Sequence, residues 1–265
     1  MKKEKILINI ENLIDFDKYK KIGINNFLFA VDDFSIGYNT FSLSDIENLD
    51  CNKYLLINRI FNTSDVDNFK EFIKNIKDIE GIVFEDISVF NILKDSNLKL
   101  IWNQNHFATN YSSINYWLDN VYSAVISNEL TFNEVSNILN NCDKPLILSV
   151  FGKNPIMYSR RYLLSNFNNN FNINYDNDVI LEENITKNEF LVKEYDKGTI
   201  IFNNTYYNLV NYIDKFNDDK VLFYLVYSHE LDFNTMCKVI NGDTLLKSDD
   251  GFMNRKTIYK LGDKK

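Results

Sequence analysis

Three short stretches of this chain hold side chains able to do acid–base or anion chemistry. Glu129 lies in the run Ser127-Asn128-Glu129-Leu130, after an apolar strand-like segment (124–126) and before a helix-period segment with Phe132, Val135, Ile138 and Leu139 on one face. A carboxylate there can serve as a general base or accept a hydrogen bond from substrate; it can equally cap the helix or pair with an arginine. Arg160 and Arg161 follow Tyr158 and Ser159. Guanidinium forks bind carboxylate or phosphate bidentately, which suits a small dicarboxylate or a phosphate of RNA, the plainer alternative being one solvent-facing arginine and one salt bridge. Glu85 and Asp86 close a third apolar run. Neighbouring strand residues face opposite sides, so one of the two is expected to line a cleft, with Asp86 the better helix cap. Gln104 and Asn105 carry both donors and acceptors, fit either for reading a substrate's polar groups or for a polar turn.

Several chemistries lack their residues. His106 and His229 are the only histidines, and the His-Glu-x-x-His pattern of a zinc protease is missing. So are a Gly-x-Ser-x-Gly nucleophile elbow and a glycine-rich phosphate loop. Ser159 has no sequence-adjacent base. Cys51, Cys142 and Cys237 form no Cys-x-x-Cys pair, so neither a disulfide framework nor a zinc ribbon is indicated and no metal site is expected. The net charge of −8 disfavours binding DNA through the whole surface, while leaving room for a local basic patch. No apolar run reaches the length of about 20 residues that a membrane span needs, and the first residues lack a signal peptide's cleavage site. The expected location is cytoplasmic, with no membrane partner.

The elements that must carry these groups follow from the apolar pattern. Short runs at 5–10, 27–31, 54–57, 81–84, 98–102, 124–126, 146–150 and 221–227 read as strands covered on both faces. Helical patterns lie between several, one marked by Val66, Phe69, Ile73 and Ile76 with Ser64 or Asp65 as cap, another by Ile114, Trp117, Leu118 and Val121 with Thr109 or Asn110 as cap. Strands alternating with helices predict an α/β fold, a distorted (β/α)8 TIM-like barrel, thin between residues 32 and 53. In such a barrel function gathers at the strands' carboxyl edge, which here also offers Arg59, Asn103, Ser127, Lys153 and His229. The Asn-rich stretch 168–177 reads as a loop, and the segments flanking Asp196-Lys197-Gly198 as a β-hairpin. The expected organisation is a barrel from 1–167 and 216–250, a hairpin insertion at 168–215 before the last strand, and a tail at 251–265.

The order of these pieces resembles the collagenase-like peptidases of family U32. The resemblance rests on Ser127 to Leu130 after a strand, Gly152 after the next, Tyr158-Ser159, and Leu163 to Ser165, supported by Gln104 to Ser112, Gly198 to Asn203 and Gly251 to Leu261. It covers most of residues 5–261 and implies Glu129 as the catalytic residue and the Tyr158-Ser159 motif beside the substrate; Arg160, Arg161, Gln104, Asn105 and Glu85, taken from their position and chemistry, are the further expected substrate-binding residues. Many members hold an iron–sulfur cluster through cysteines, but Pro155 and Tyr162 stand at two of those positions here, so no cluster and no other cofactor is expected. Phe151 replaces a common histidine, and Tyr224 to His229 departs from the usual Lys-Ile-Glu-Gly-Arg ending of the last strand. These departures resemble the short, cluster-free branch that works beside a larger paralogue. The resemblance implies prephenate-dependent 5-hydroxylation of the tRNA wobble uridine, with Tyr158 or Trp102 to stack on a base. A collagenase-like hydrolase and a non-catalytic partner subunit are the alternatives.

Overall fold

The short apolar runs become strands because each is buried on both faces. The computed structural model describes residues 1–243 and 247–255. The last part of the stretch Gly251 to Leu261, and the tail after 255, lie outside the described residues. In chain order the elements are β1 (Ile6–Asn9), α1 (Phe16–Lys21), β2 (Asn26–Val31), β3 (Thr40–Phe41), α2 (Leu43–Ile46), β4 (Asn52–Ile57), α3 (Thr63–Ile73), β5 (Gly81–Phe84), α4 (Ile87–Leu93), β6 (Lys99–Asn103), α5 (Tyr111–Leu118), β7 (Ser123–Ile126), α6 (Phe132–Asn141) and β8 (Leu146–Gly152). They continue through β9 (Pro155–Ser159), α7 (Leu163–Phe171), β10 (Asp178–Glu182), β11 (Glu189–Tyr195), β12 (Gly198–Asn203), β13 (Tyr206–Asn208), β14 (Val221–Tyr227), α8 (Phe233–Ile240) and β15 (Ser248–Asp249).

Eight parallel strands close into a barrel in the order β14-β1-β2-β4-β5-β6-β7-β8, with β8 pairing back onto β14. The expected (β/α)8 architecture is present, and it is thin where the sequence is thin: β2 and β4 are joined through the two-residue β3 and the single turn of α2. Alternation along each strand sorts the core into two layers. Leu7, Leu28, Leu56, Val83, Ile101 and Leu225 pack together inside the ring. Ile6, Ile8, Phe27, Phe29, Leu55 and Ile57 belong to the larger outer layer against the helices.

Helix starts follow local side-chain chemistry. Asn110 caps α5, accepting from the Ser113 backbone N–H, as the sequence predicts. For α3 the cap is Asn62, with Asp65 closing the reciprocal box, two residues before the expected Ser64. Asn62 wins because its side chain reaches the Asp65 N–H while the Asp65 carboxylate reaches back.

A second, antiparallel sheet in the order β10-β11-β12-β9 lies over the barrel mouth. It begins at Pro155, ahead of the boundary at 168 read from composition, because β9 pairs with β12 (Ser159 opposite Thr199) once the chain leaves β8. The hairpin is present, closed by Tyr195 opposite Gly198. The Asn-rich stretch is not all loop: α7 extends to Phe171 and stops where Asn172 turns left-handed at φ 51°. Its first turn is capped from a distance. The buried Glu194 carboxylate on β11 accepts from the Leu164 and Ser165 backbone N–H groups at 2.8 and 3.2 Å, a non-local partner that no sequence window reveals.

Gly198 sits at φ +129°, and a Cβ there would lie 2.2 Å from the Ser159 carbonyl oxygen. Gly198→Ala is therefore expected to cost roughly 1–3 kcal/mol. Hydrogen exchange should show protection falling in β9–β12 while the barrel strands keep theirs; uniform protection in the variant would refute this account of the hairpin.

Candidate functional site

Inward alternation does not stop at the last apolar residue of each strand. Two positions beyond Leu56, Val83, Ile101 and Leu225 come Asn58, Glu85, Asn103 and Tyr227, and all four line a cavity of about 360 Å³ at the barrel mouth. Gln104, Asn105, His106 and Lys153 complete its rim, and β9 together with Ile200 of β12 closes it from above. The loop after β2 is drawn over the mouth by Asn58, whose Oδ1 accepts from the Ile36 N–H at 2.9 Å and whose Nδ2 donates to the Ile36 carbonyl at 3.0 Å. That loop brings Tyr38 onto Tyr227, rings stacked 4.9 Å apart. Burial pushes both phenols well above their ordinary value, so they stay protonated donors.

Glu85 is the cavity's carboxyl group. Its Oε1 accepts from Asn103 Nδ2 at 3.1 Å, and its carbonyl accepts from Gln104 Nε2 at 2.7 Å. Enclosure by protein pushes its pKa up to about 8, so at neutral pH it is mostly a neutral acid able to donate a proton or a hydrogen bond. Lys153, 6% exposed, lines the same cavity and carries a cation. Its ammonium donates to Glu230 at 2.9 Å and to Asn204 at 3.2 Å, and Lys193 of β11 donates to the other Glu230 oxygen at 2.7 Å. Burial opposes ionisation of Glu230, but the hydrogen bonds from the two lysines outweigh it and hold its carboxyl down to about 2. His229 next to it is buried and neutral, pushed down to about 3 by burial first and Lys153 second. Both of its ring nitrogens, with Asn9 Oδ1 and Ser228 Oγ, find no hydrogen-bond partner among the described residues.

The sequence-derived candidates separate. Glu85, Gln104, Asn105 and Tyr158 line the cavity together. Tyr158 is fixed by its hydroxyl, which donates to the Lys197 carbonyl at 3.1 Å. Glu129 does not line it: the carboxylate is 46% exposed on the rim, 3.5 Å from Nδ1 of the cavity-lining His106. The capping role open to Glu129 is taken by Thr131 with Glu134. Ser159 is half-buried, its Oγ accepting from the Arg161 N–H at 3.3 Å, and Arg160 and Arg161 are solvent-exposed where the chain turns from β9 into α7. Asp86 caps α4 and accepts from the Phe61 N–H, as a structural carboxylate. Arg59 is buried against Asp65 at 3.2 Å. Trp102 is 4% exposed and stacked on Trp117 at 4.8 Å, which leaves its face unavailable to a base. Tyr38, Asn58 and Tyr227 were not singled out from sequence. Counting two residues past the last inward apolar position finds Asn58 and Tyr227; Tyr38 arrives through a loop and leaves no such signal.

An α/β barrel with a polar, amide-rich mouth under a small antiparallel sheet defines the class. The family model for peptidase family U32 matches residues 31–231, more than half of the chain. The chain belongs to peptidase family U32. It is 27% identical over 119 residues to tRNA hydroxylation protein P2 of Bacillus subtilis (strain 168), a match taking in 43% of this chain and 38% of that protein. Among solved structures it is similar to the spore cortex-lytic enzyme SleL of Bacillus cereus (TM-score 0.45, 11% identity, 93% of this chain and 76% of the other). It is also similar to a chitinase from Chromobacterium violaceum ATCC 12472 (TM-score 0.42, 8% identity, 89% of this chain and 98% of the other). Among the described residues no helix is long and apolar enough to cross a membrane.

The raised Glu85 pKa carries a sign. Between its ordinary value of 4.5 and about 8 the unfolded chain has released a proton that the folded chain keeps. Stability contributed at this position therefore falls as pH rises through that window, by at most about 1.4 kcal/mol per pH unit, and levels off above it. Urea unfolding across the window should show Glu85→Gln gaining on the wild type as pH rises; a constant difference would mean that Glu85 titrates normally.

Proposed function

We propose that this protein serves in 5-hydroxylation of the tRNA wobble uridine. The observation that carries the reading is a family U32 barrel whose mouth is lined by amides and one neutral carboxyl group. Uracil presents two carbonyl acceptors and one N–H donor. Asn103, Gln104 and Asn105 offer both kinds of partner, and protonated Glu85 adds a donor for a carbonyl. The name of the Bacillus subtilis relative points the same way, and because it is matched over 38% of its length, activity, substrate and partners are carried over here as proposals.

Prephenate is the proposed oxygen source. Arg160 and Arg161, exposed beside Tyr158, are the proposed carboxylate-binding groups, with Glu129 and His106 as an acid–base pair on the rim. The iron–sulfur cluster of many family members does not fit this chain, because Pro155 and Tyr162 supply no thiolate. A larger, cluster-bearing paralogue is the proposed partner.

Deleting the gene is expected to abolish hydroxylated wobble uridine in tRNA, read by mass spectrometry of nucleosides. The wild-type gene should restore it, and Glu85→Ala, which removes the donor, should restore no more than about a tenth, the scale of losing one hydrogen bond to the base. Unchanged hydroxylation in the deletion strain would end the proposal.

A further inference from the structure

A second depression opens beside the cavity and shares a wall with it. Ile60, Glu85 and Gln104 line both. Its volume is about 910 Å³, and its floor is aromatic. Trp102 stacks on Trp117 at 4.8 Å, and Phe90 meets Trp117 edge-on at 5.6 Å. Above this rigid floor two rings stand in solvent: Phe107, 66% exposed, and Tyr116, 71% exposed. Among the described residues no lysine or arginine lines the groove, and its one charged group besides the mostly neutral Glu85 is Asp86.

We propose that this groove holds the nucleobase next to the target uridine, in a single-stranded RNA segment, by stacking on Phe107 and Tyr116. The inference rests on the proposed function and deepens it. A base that enters the cavity leaves its neighbours in the strand at the rim, and the groove is the apolar surface continuous with that rim through the shared wall. Exposed flat rings suit a base, whatever its identity, because every base has a π-face. Its lining among the described residues has no cation for phosphate, so the share of the affinity that comes from stacking is insensitive to salt.

The test uses the full chain and a short single-stranded RNA carrying a central uridine with 2-aminopurine beside it. Wild type should bind and quench the 2-aminopurine. Phe107→Ala and Tyr116→Ala should each weaken binding roughly tenfold, within the range for losing one base–aromatic stack. They should also relieve the quenching, by the same factor at low and at moderate salt, and Phe107→Trp should keep both affinity and quenching. Wild-type affinity and quenching in both alanine variants would overturn the inference, as would a loss confined to low salt. So would alanine variants that lose a co-purifying protein while RNA binding stays intact, which would make the groove a protein-docking surface. The two readings fail separately. Alanine variants that fully restore wobble hydroxylation in the deletion strain overturn the stacking site and leave the proposed function standing, whereas a deletion strain with normal hydroxylation removes the function itself.

Discussion

The site depends on strand register around the closed barrel. β14 pairs on both sides, Ile6 opposite Tyr224 with β1 and Val221 opposite Leu146 with β8. Side chains alternate with period two, so the register of each pairing, from β2–β4 through β5–β6 to the seam, decides which residues of that strand face inward. A slip of one residue in β4, β5 or β6 would present Ile57, Phe84 or Trp102 to the mouth in place of Asn58, Glu85 or Asn103. The apolar residues would then lose their helix-side packing as well, and that double loss holds the polar layer in place.

The covering sheet is fastened to the barrel by charge as much as by packing. Lys153 from the end of β8, Glu230 from the loop after β14 and Lys193 from β11 make one chain of ion pairs at 2.9 and 2.7 Å. Breaking such a half-buried set by removing one partner costs more than forming it gains, since a charge is left without its counterpart. The chain reaches this arrangement through an unusual corner: His229 and Glu230 both have positive φ, 31° and 63°, a conformation that non-glycine residues adopt only when their surroundings hold them there. The two lysines supply that hold on Glu230, and the rings of Tyr38 and Phe202 enclose His229.

Much of the barrel was legible because strands buried on both faces leave continuous apolar runs. The runs at 81–84 and 221–227 coincide with β5 and β14 to the residue. Less could be read of the covering sheet. β9 is mostly exposed and carries Pro155, so nothing local marks it as a strand; its pairing with β12 arises over some forty residues of chain. The start of α7 was hidden likewise, its cap being Glu194 on another strand. Of the cavity lining, Glu85, Gln104, Asn105 and Tyr158 could be found from strand-end position, whereas Arg160 and Arg161, next to Tyr158 in sequence, stand in solvent outside that lining. Sequence proximity says nothing of which way a turn faces, and the turn after β9 faces water.

The proton on Glu85 has a thermodynamic consequence beyond the site's shape. A ligand that brings a cation or strong donors to this carboxyl group would ionise it, and the released proton would pass to the buffer. The measured enthalpy of association would then vary with the buffer's own ionisation heat, whereas a ligand that uses Glu85 as a neutral donor would give one enthalpy in every buffer. Calorimetry could thus distinguish the two modes of recognition without any view of the bound state.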